Sequence, residues 1–264
     1  MVCKVRLRFA KRGKLRFTSH RDVARAFERA LRRAGLPMAY SQGFNPHPKV
    51  SWVGAAPTGV ASEAEYLEIQ LVEHLDPEVV RGKLDAALPE GLAVLEGVLA
   101  GPGGLAERIE ASAWRIEVRG LSVEQLRQGA HALLAAPTAL VERITKDGRR
   151  TIDARPAIVS LNVQDYSTVP PVPDQLSRCG ILMAVVRQVS PAVRPDDVLS
   201  ALGAVAGLPS AVLVKAIRTA QGRLDDDGGL VDPLTADRAT ARTALMESCD
   251  ESDQHNVADI PVDR

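Results

Sequence analysis

The sequence lacks the residues and patterns that mark the commonest enzyme, secreted and membrane classes. Its three cysteines, Cys3, Cys179 and Cys249, lie far apart, so we expect neither a disulfide framework nor a CxxC-type zinc or iron–sulfur site. It has no run of 18 apolar residues and no signal-peptide core, so we expect a cytoplasmic protein without membrane contact. Walker, GxGxxG, GxSxG and HExxH motifs are also absent. We therefore expect no cofactor and no metal.

The zero net charge conceals a strong asymmetry along the chain. Residues 1–50 contain thirteen Lys or Arg residues and two acidic ones, a net charge of +11, and the other 214 residues carry −11. Seven of the nine aromatic residues lie in the first 66 positions. Such a basic segment indicates a polyanion partner, and exposed aromatic rings can stack bases. The alternative is that the acidic remainder folds back and neutralises it.

Hydrophobic periodicity predicts an α+β fold. Residues 3–10 alternate as a strand with Lys4, Arg6 and Arg8 on a cationic face. A helix follows from the cap Ser19 to the stop at Gly35, with its arginines on one side. Strands at 65–73 and 93–100 flank a helix at 76–88. We interpret the whole region as strand, helix, strand, strand, helix, strand, the order of a ferredoxin-like βαββαβ unit, whose open sheet face binds RNA in RNA-recognition domains.

The rest of the chain repeats this order loosely, so the sequence predicts two tandem ferredoxin-like domains and an acidic tail. The first covers residues 1–100, and "GPGG" at 101–104 would be a hinge. The second covers 105–221, with a hairpin turning at Lys146-Asp147-Gly148 and a proline-rich insertion at 164–175. Residues 222–264 have few large apolar side chains and are predicted to be disordered, apart from a transient helix around 236–247.

The stretch "SQGFNPHPKVSW" at 41–52 fits neither a helix nor a strand. Pro46 and Pro48 fix their own φ and restrict the residue before each of them, so the loop should be stiff. A stiff loop with polar side chains suits the binding of an anion or a base edge, and it also suits a plain structural turn. His20 and His47 could form an acid–base pair for phosphodiester cleavage, but spacing alone is a weak signal; a metal site of Cys3 with both histidines is weaker still.

The segment from "RLRFAKRGKLRF" through "SQGFNPHPKVSW" to "EYLEIQL" resembles the radical SAM-linked protein family. That family is a domain of unknown function, found as a standalone actinobacterial-type protein or as the C-terminal domain of B12-binding radical SAM proteins. The resemblance implies an association with radical SAM chemistry and with RNA processing. This chain has no CxxxCxxC motif, so it would act as a partner or substrate-binding subunit.

Together these features predict a non-catalytic, RNA-binding accessory protein that presents structured RNA, such as tRNA or rRNA, to a modifying or processing enzyme. The alternatives are a protein-interaction subunit that docks a radical SAM enzyme or a ribonuclease, and a metal-independent endoribonuclease. The residues predicted to bind RNA are Arg6, Arg8, Lys14, Arg16, Arg21, Arg25, Arg29, Gln42, Phe44, Asn45, His47 and Lys49.

Overall fold

A computed structural model describes residues 2–145, 148–164, 180–209 and 212–240 of the chain. Its helices are α1 (His20–Arg33), α2 (Pro77–Ala87), α3 (Val123–Ala135) and α4 (Pro195–Ala206), and residues 235–240 are also helical. Within these ranges, no helix is both long enough and apolar enough to cross a membrane.

The strands of the described chain are β1 (Cys3–Lys11), β2 (Val50–Val53), β3 (Ala61–Leu71), β4 (Leu92–Leu99), β5 (Ala111–Arg119), β6 (Leu140–Thr145), β7 (Gly148–Asp153), β8 (Ile158–Gln164), β9 (Gly180–Arg187), β10 (Val212–Leu224) and β11 (Leu230–Val231).

Nine of these strands form one sheet, and a two-stranded ribbon, β6–β7, stands apart from it. The order across the sheet is β4-β1-β3-β10-β5-β9-β8, with β2 beside β3 and β11 beside β10. Only the pairing of β3 with β10 is parallel among these described strands, so the fold is a mixed α+β fold with one large sheet.

In the first half, α1 and α2 cover one face of β1, β3 and β4. Ser19 caps α1 as predicted, because its Oγ accepts a hydrogen bond from the Asp22 amide at 3.2 Å, and Gly35 follows the helix with a φ of +61°. The apolar stripe of α1 is buried in a core with the inward side chains of the three strands. Its buried members are Val23, Phe27, Ala30 and Leu31.

In the second half, α3 and α4 pack on β5, β8 and β9 around a separate core. The predicted hairpin is present as the β6–β7 ribbon, whose last pair is Thr145 with Gly148. Its turn residues 146–147 lie outside the described residues, and so does the predicted proline-rich insertion beyond Gln164. Strand β8 has no counterpart in the sequence-based prediction.

The two halves share a sheet and a buried polar cluster. Strands β3 and β10 meet where Ile217 pairs with Ala61 and Arg218 with Ser62. Beside this junction the buried Arg218 forms an ion pair with Glu65 and a 3.3 Å hydrogen bond to the Ser62 hydroxyl. The sheet continues from one half into the other and does not mark where one domain ends. The two tandem ferredoxin-like domains and their boundaries at 100 and 105 therefore stay predictions.

The prediction of disorder from residue 222 is wrong for residues 222–235, while the helix predicted around 236–247 is present over residues 235–240, the part of it that the structure describes. Strand β10 continues to Leu224, β11 pairs with it, and Leu234 is fully buried with Ala64 and Tyr66. Ala64 and Tyr66 lie on the face of β3 opposite α1, since they alternate with the inward residue Leu67. We call residues 230–240 the C-terminal strap, because they cover the sheet face that helices α1 and α2 leave open. Residues 241–264 lie outside the described chain.

Candidate nucleic-acid interface

The cations of β1 do not form the exposed face that alternation predicts. Arg6 is 2% exposed, and its guanidinium donates to Asp237 of the C-terminal strap at 2.8 and 3.0 Å. It also donates to Glu68 at 3.0 Å and to the Gly103 carbonyl at 2.5 Å. The expectation that Arg6 is displayed to a phosphate is therefore wrong, because an acidic residue 231 positions away already binds it.

Arg8 lies in the same layer of charged side chains, on the face of β1 that carries Arg6, and it is also ion-paired. Its guanidinium is 3.6 Å from both Glu96 and Asp232, and Arg238 of the strap binds the same two carboxylates. The C-terminal strap thus lies over the sheet face that RNA-recognition domains use, so this face is not the open, unpaired cationic surface that the sequence predicts. The alternative in which acidic residues fold back and neutralise the basic segment holds for Arg6 and Arg8.

Two glutamates that pair with these cations, Glu68 and Glu96, have lowered pKa values. The guanidinium of Arg238 holds the pKa of Glu96 below its ordinary value. Burial works to raise the pKa of Glu68, but hydrogen bonds from Lys4 and Arg6 outweigh it and hold this pKa below the usual value. Ionised carboxylates neutralise their cationic partners, so this layer offers a polyanion little free positive charge.

The arginines of α1 differ, because the fold leaves them at the surface. Arg21, Arg25 and Arg29 are all exposed, and successive members are four residues apart, about 6 Å along the helix. Arg25 is 3.8 Å from the exposed Asp22, while neither Arg21 nor Arg29 makes an ion pair with any described residue. We call these three arginines the arginine row. A row of this kind suits a phosphate backbone.

A short 3-10 helix, Gly13–Phe17, adds cations and an aromatic ring at the start of α1. Lys14 is exposed, and the Arg16 guanidinium lies 4.4 Å from the centre of the Phe17 ring. Phe17 is 59% exposed although it is a large apolar side chain. Sequence reasoning did not single out Phe17; its position between a basic turn and a helix cap, outside any apolar periodicity, was the available signal.

The loop 41–49 is pinned at its base and exposed at its tip. The Ser41 amide donates to the His47 carbonyl at 2.9 Å, the His47 amide donates to the Ser41 hydroxyl at 3.0 Å, and the Lys49 amide donates to the Ala39 carbonyl at 2.8 Å. Gly43 at the tip has a φ of +128°, which favours glycine. Phe44 next to it is 107% exposed. The other predicted binding residues of this loop are exposed as well, namely Gln42, Asn45, His47 and Lys49.

Contacts of β2 locate the loop relative to α1. Trp52 packs edge-on against Phe27 of α1, with ring centres 5.2 Å apart, and against His20 at the start of α1, at 5.3 Å. Met38, which follows α1, forms a β-bridge with Leu71 at the end of β3. The loop before Val50 therefore emerges toward the end of α1. Phe17 therefore lies just before the start of α1, and the loop 41–49 lies toward its end.

The histidines are not brought together by any observed contact. His20 packs edge-on against Trp52, whereas His47 lies in the exposed loop, and no hydrogen bond or ring contact joins the two within the described chain. Their role as a cleavage pair stays a prediction. Cys3 is half-buried, and burial raises the pKa of its thiol. Among the described residues no group of three or more His, Cys, Asp or Glu side chains could hold a metal ion.

These features define an α+β protein with a basic, aromatic-flanked helix face. Residues 4–195 match a family model described as "Uncharacterized protein conserved in bacteria (DUF2344)". The chain belongs to this bacterial family. A comparison with curated proteins gives no match. The link to radical SAM chemistry stays a prediction.

Solved structures show remote similarity to this chain, which spans about half the length of each. An archaeal box H/ACA sRNP Nop10–Cbf5 complex is 11% identical over 87% of this chain and 51% of that chain, with a TM-score of 0.43. A Cbf5–Nop10–Gar1 complex is 10% identical over 86% and 52%, with a TM-score of 0.44. An H/ACA RNP bound to a substrate RNA containing 2'-deoxyuridine is 10% identical over 87% and 50%, with a TM-score of 0.39. Similarity at this level carries no argument about function.

Proposed function

We propose that this protein is a non-catalytic, RNA-binding accessory subunit that holds structured RNA for a modifying or processing enzyme. The observation that carries the proposal is the arginine row on α1, which is exposed and largely unpaired. RNA is the polyanion that suits it, because exposed aromatic rings accompany the cations and can stack on bases.

The contrast between β1 and α1 supports this interpretation. Carboxylates of β3, β4 and the C-terminal strap neutralise Arg6 and Arg8, whereas the same fold leaves Arg21 and Arg29 without an acidic partner among the described residues. A basic surface that served only to balance the acidic remainder would be paired throughout. Exposed cations without an ion pair among the described residues lie along α1, with Lys14 before the helix and Lys49 after it.

The class of enzyme that this subunit would serve is inferred from the sequence resemblance to the radical SAM-linked family and not from the geometry of the structure. A radical SAM enzyme that modifies tRNA or rRNA would need RNA held in register, and this chain would supply that contact. The modified position would then depend on which RNA segment lies along α1.

A binding titration tests the proposal. Total cellular RNA is titrated against the wild type and against Arg21→Gln/Arg25→Gln/Arg29→Gln at several salt concentrations. The matched control removes three exposed arginines of the second half: Arg119→Gln, Arg127→Gln and Arg187→Gln. We expect the first variant to lose at least about tenfold in affinity at low salt and the control to lose little. If the wild type shows no salt-dependent binding, the proposal fails.

A protein-docking role is the second candidate, and the exposure of Phe44 favours it. A fully exposed aromatic residue on a pinned loop is a typical anchor at a protein interface. The partner would be a radical SAM enzyme or a ribonuclease. Pull-down with the wild type and Phe44→Ala from nuclease-treated lysate separates the two functions. A partner that is retained after RNA removal and lost in Phe44→Ala favours docking; loss of all partners on nuclease treatment excludes it.

A further inference from the structure

Two aromatic rings at this surface are displayed to solvent on backbones that hold them in place. Phe44 is 107% and Phe17 59% exposed. The loop of Phe44 is closed by the Ser41–His47 hydrogen bonds and stiffened by Pro46, which lies next to His47. Phe17 ends a 3-10 helix that is tied to the next loop, because the Gly59 amide donates to the Arg16 carbonyl at 2.7 Å. The backbone under each ring is therefore held by hydrogen bonds, and the ring itself extends into solvent, where a flat partner can reach it.

Their surroundings indicate a nucleic-acid base. The Arg16 guanidinium lies over one face of the Phe17 ring, so a ligand at the other face meets a ring with a cation behind it. Phe44 stands among polar residues, Gln42, Asn45 and His47, that can bond base edges. An apolar protein groove would be matched by apolar neighbours around each ring, and at Phe44 the described neighbours are polar.

A paired duplex cannot use such rings. In A-form RNA the bases stack on each other and present only their edges in the grooves, so an exposed aromatic face gains nothing from them. An unpaired base can leave its stack and cover the ring, and this contact tolerates any base. We infer that the RNA held along α1 is single-stranded where it meets Phe17 and Phe44, as in a loop or a free end. This inference rests on the proposed RNA-binding function.

The arginine row fits the same ligand. Its members follow each other about 6 Å apart on a helix of 14 residues, which is about 21 Å long. Phe17 precedes the row and the loop 41–49 emerges near its end. One strand can therefore contact the row with its phosphates and offer an unstacked base at each end.

The test compares one RNA strand of about 16 nucleotides with the same strand annealed to its complement, because single-strand sites span about 4–16 nucleotides. Fluorescence anisotropy measures the binding of both RNAs to the full chain and to Phe17→Ala and Phe44→Ala. Ile144→Ala is the control, since Ile144 is 85% exposed on the separate ribbon.

We expect the single strand to bind more tightly than the duplex. Each phenylalanine variant should weaken single-strand binding about 5- to 150-fold and leave duplex binding and the control unchanged. If the duplex binds as tightly, or if both variants weaken both RNAs equally, the single-strand inference is overturned while RNA binding stands. If neither RNA binds, the proposed function fails, and the inference fails with it.

Discussion

Replacing Asp237 by alanine should destabilise the whole sheet, although this residue lies in a segment whose composition predicts disorder. The Asp237 side chain is 0% exposed, and it accepts hydrogen bonds from Arg6, from Arg108 at 2.8 Å and from the Gly101 amide at 2.9 Å. Its removal leaves Arg6, with 3% side-chain exposure, bound only by Glu68 and one carbonyl. Removing one partner of a buried ion pair costs about 3–5 kcal/mol.

Urea unfolding followed by circular dichroism measures this cost. We expect the midpoint of Asp237→Ala to fall by on the order of 1–2 M. Glu142→Gln is the control, because Glu142 and Arg149 form a pair whose side chains are 68% and 79% exposed, and such pairs contribute less than about 1 kcal/mol. The double variant Arg6→Met/Asp237→Leu should recover part of the loss, since it removes both charges of the buried Arg6–Asp237 pair, while Arg108 still loses its carboxylate partner.

The reasoning would be refuted by an Asp237→Ala midpoint within the range of the control. That result would mean that the C-terminal strap does not hold Arg6 in solution. Arg6 and the sheet face under the strap would then be available to RNA, and the assignment of binding to α1 would lose the contrast with β1 that supports it.

Three further predictions concern local features. Burial lowers the pKa of Lys11 in the folded protein below its ordinary value of 10.5, which the unfolded chain retains. At pH values between the folded and the unfolded pKa, the unfolded chain binds more protons, so the free energy of unfolding rises with pH. In urea unfolding between pH 7 and 10, Lys11→Met should lack this rise; equal slopes would contradict it. Ser19→Ala should destabilise the protein by about 1 kcal/mol through loss of the α1 cap, and an unchanged thermal midpoint would show that the cap contributes nothing. No hydrogen bond or ring contact joins the two imidazoles within the described chain, so His20→Ala/His47→Ala should leave any RNA cleavage by the purified protein unchanged. Loss of cleavage in this variant would establish that the two histidines form a nuclease site.

The sequence predicts best the elements whose signals are local. Ser19 and Gly35 set the ends of α1, and the alternation of residues 3–10 correctly assigns β1 and its two faces. The alternation does not indicate whether the outer face is exposed, because its exposure depends on Asp237 and Asp232, more than 220 positions further along the chain.

The parts that sequence reasoning missed are likewise non-local. The parallel junction of Ala61 with Ile217 joins the halves into one sheet, and no short-range pattern encodes such a pairing. At the candidate site, the exposure of Phe44 agrees with its position in a stiff loop. The exposure of Phe17 depends on which neighbouring residues fold over it, and only the tertiary structure supplies that.

The salt dependence of RNA binding tests the central claim most directly. Association constants for the single strand are measured across a series of salt concentrations for the wild type, for Arg21→Gln/Arg25→Gln/Arg29→Gln and for the Arg119/Arg127/Arg187 control. If the arginine row contacts three phosphates, the slope of log K against log salt should become shallower by about 2 in the first variant only. An unchanged slope in that variant, or an equal change in the control, would contradict the claim that α1 is the RNA interface.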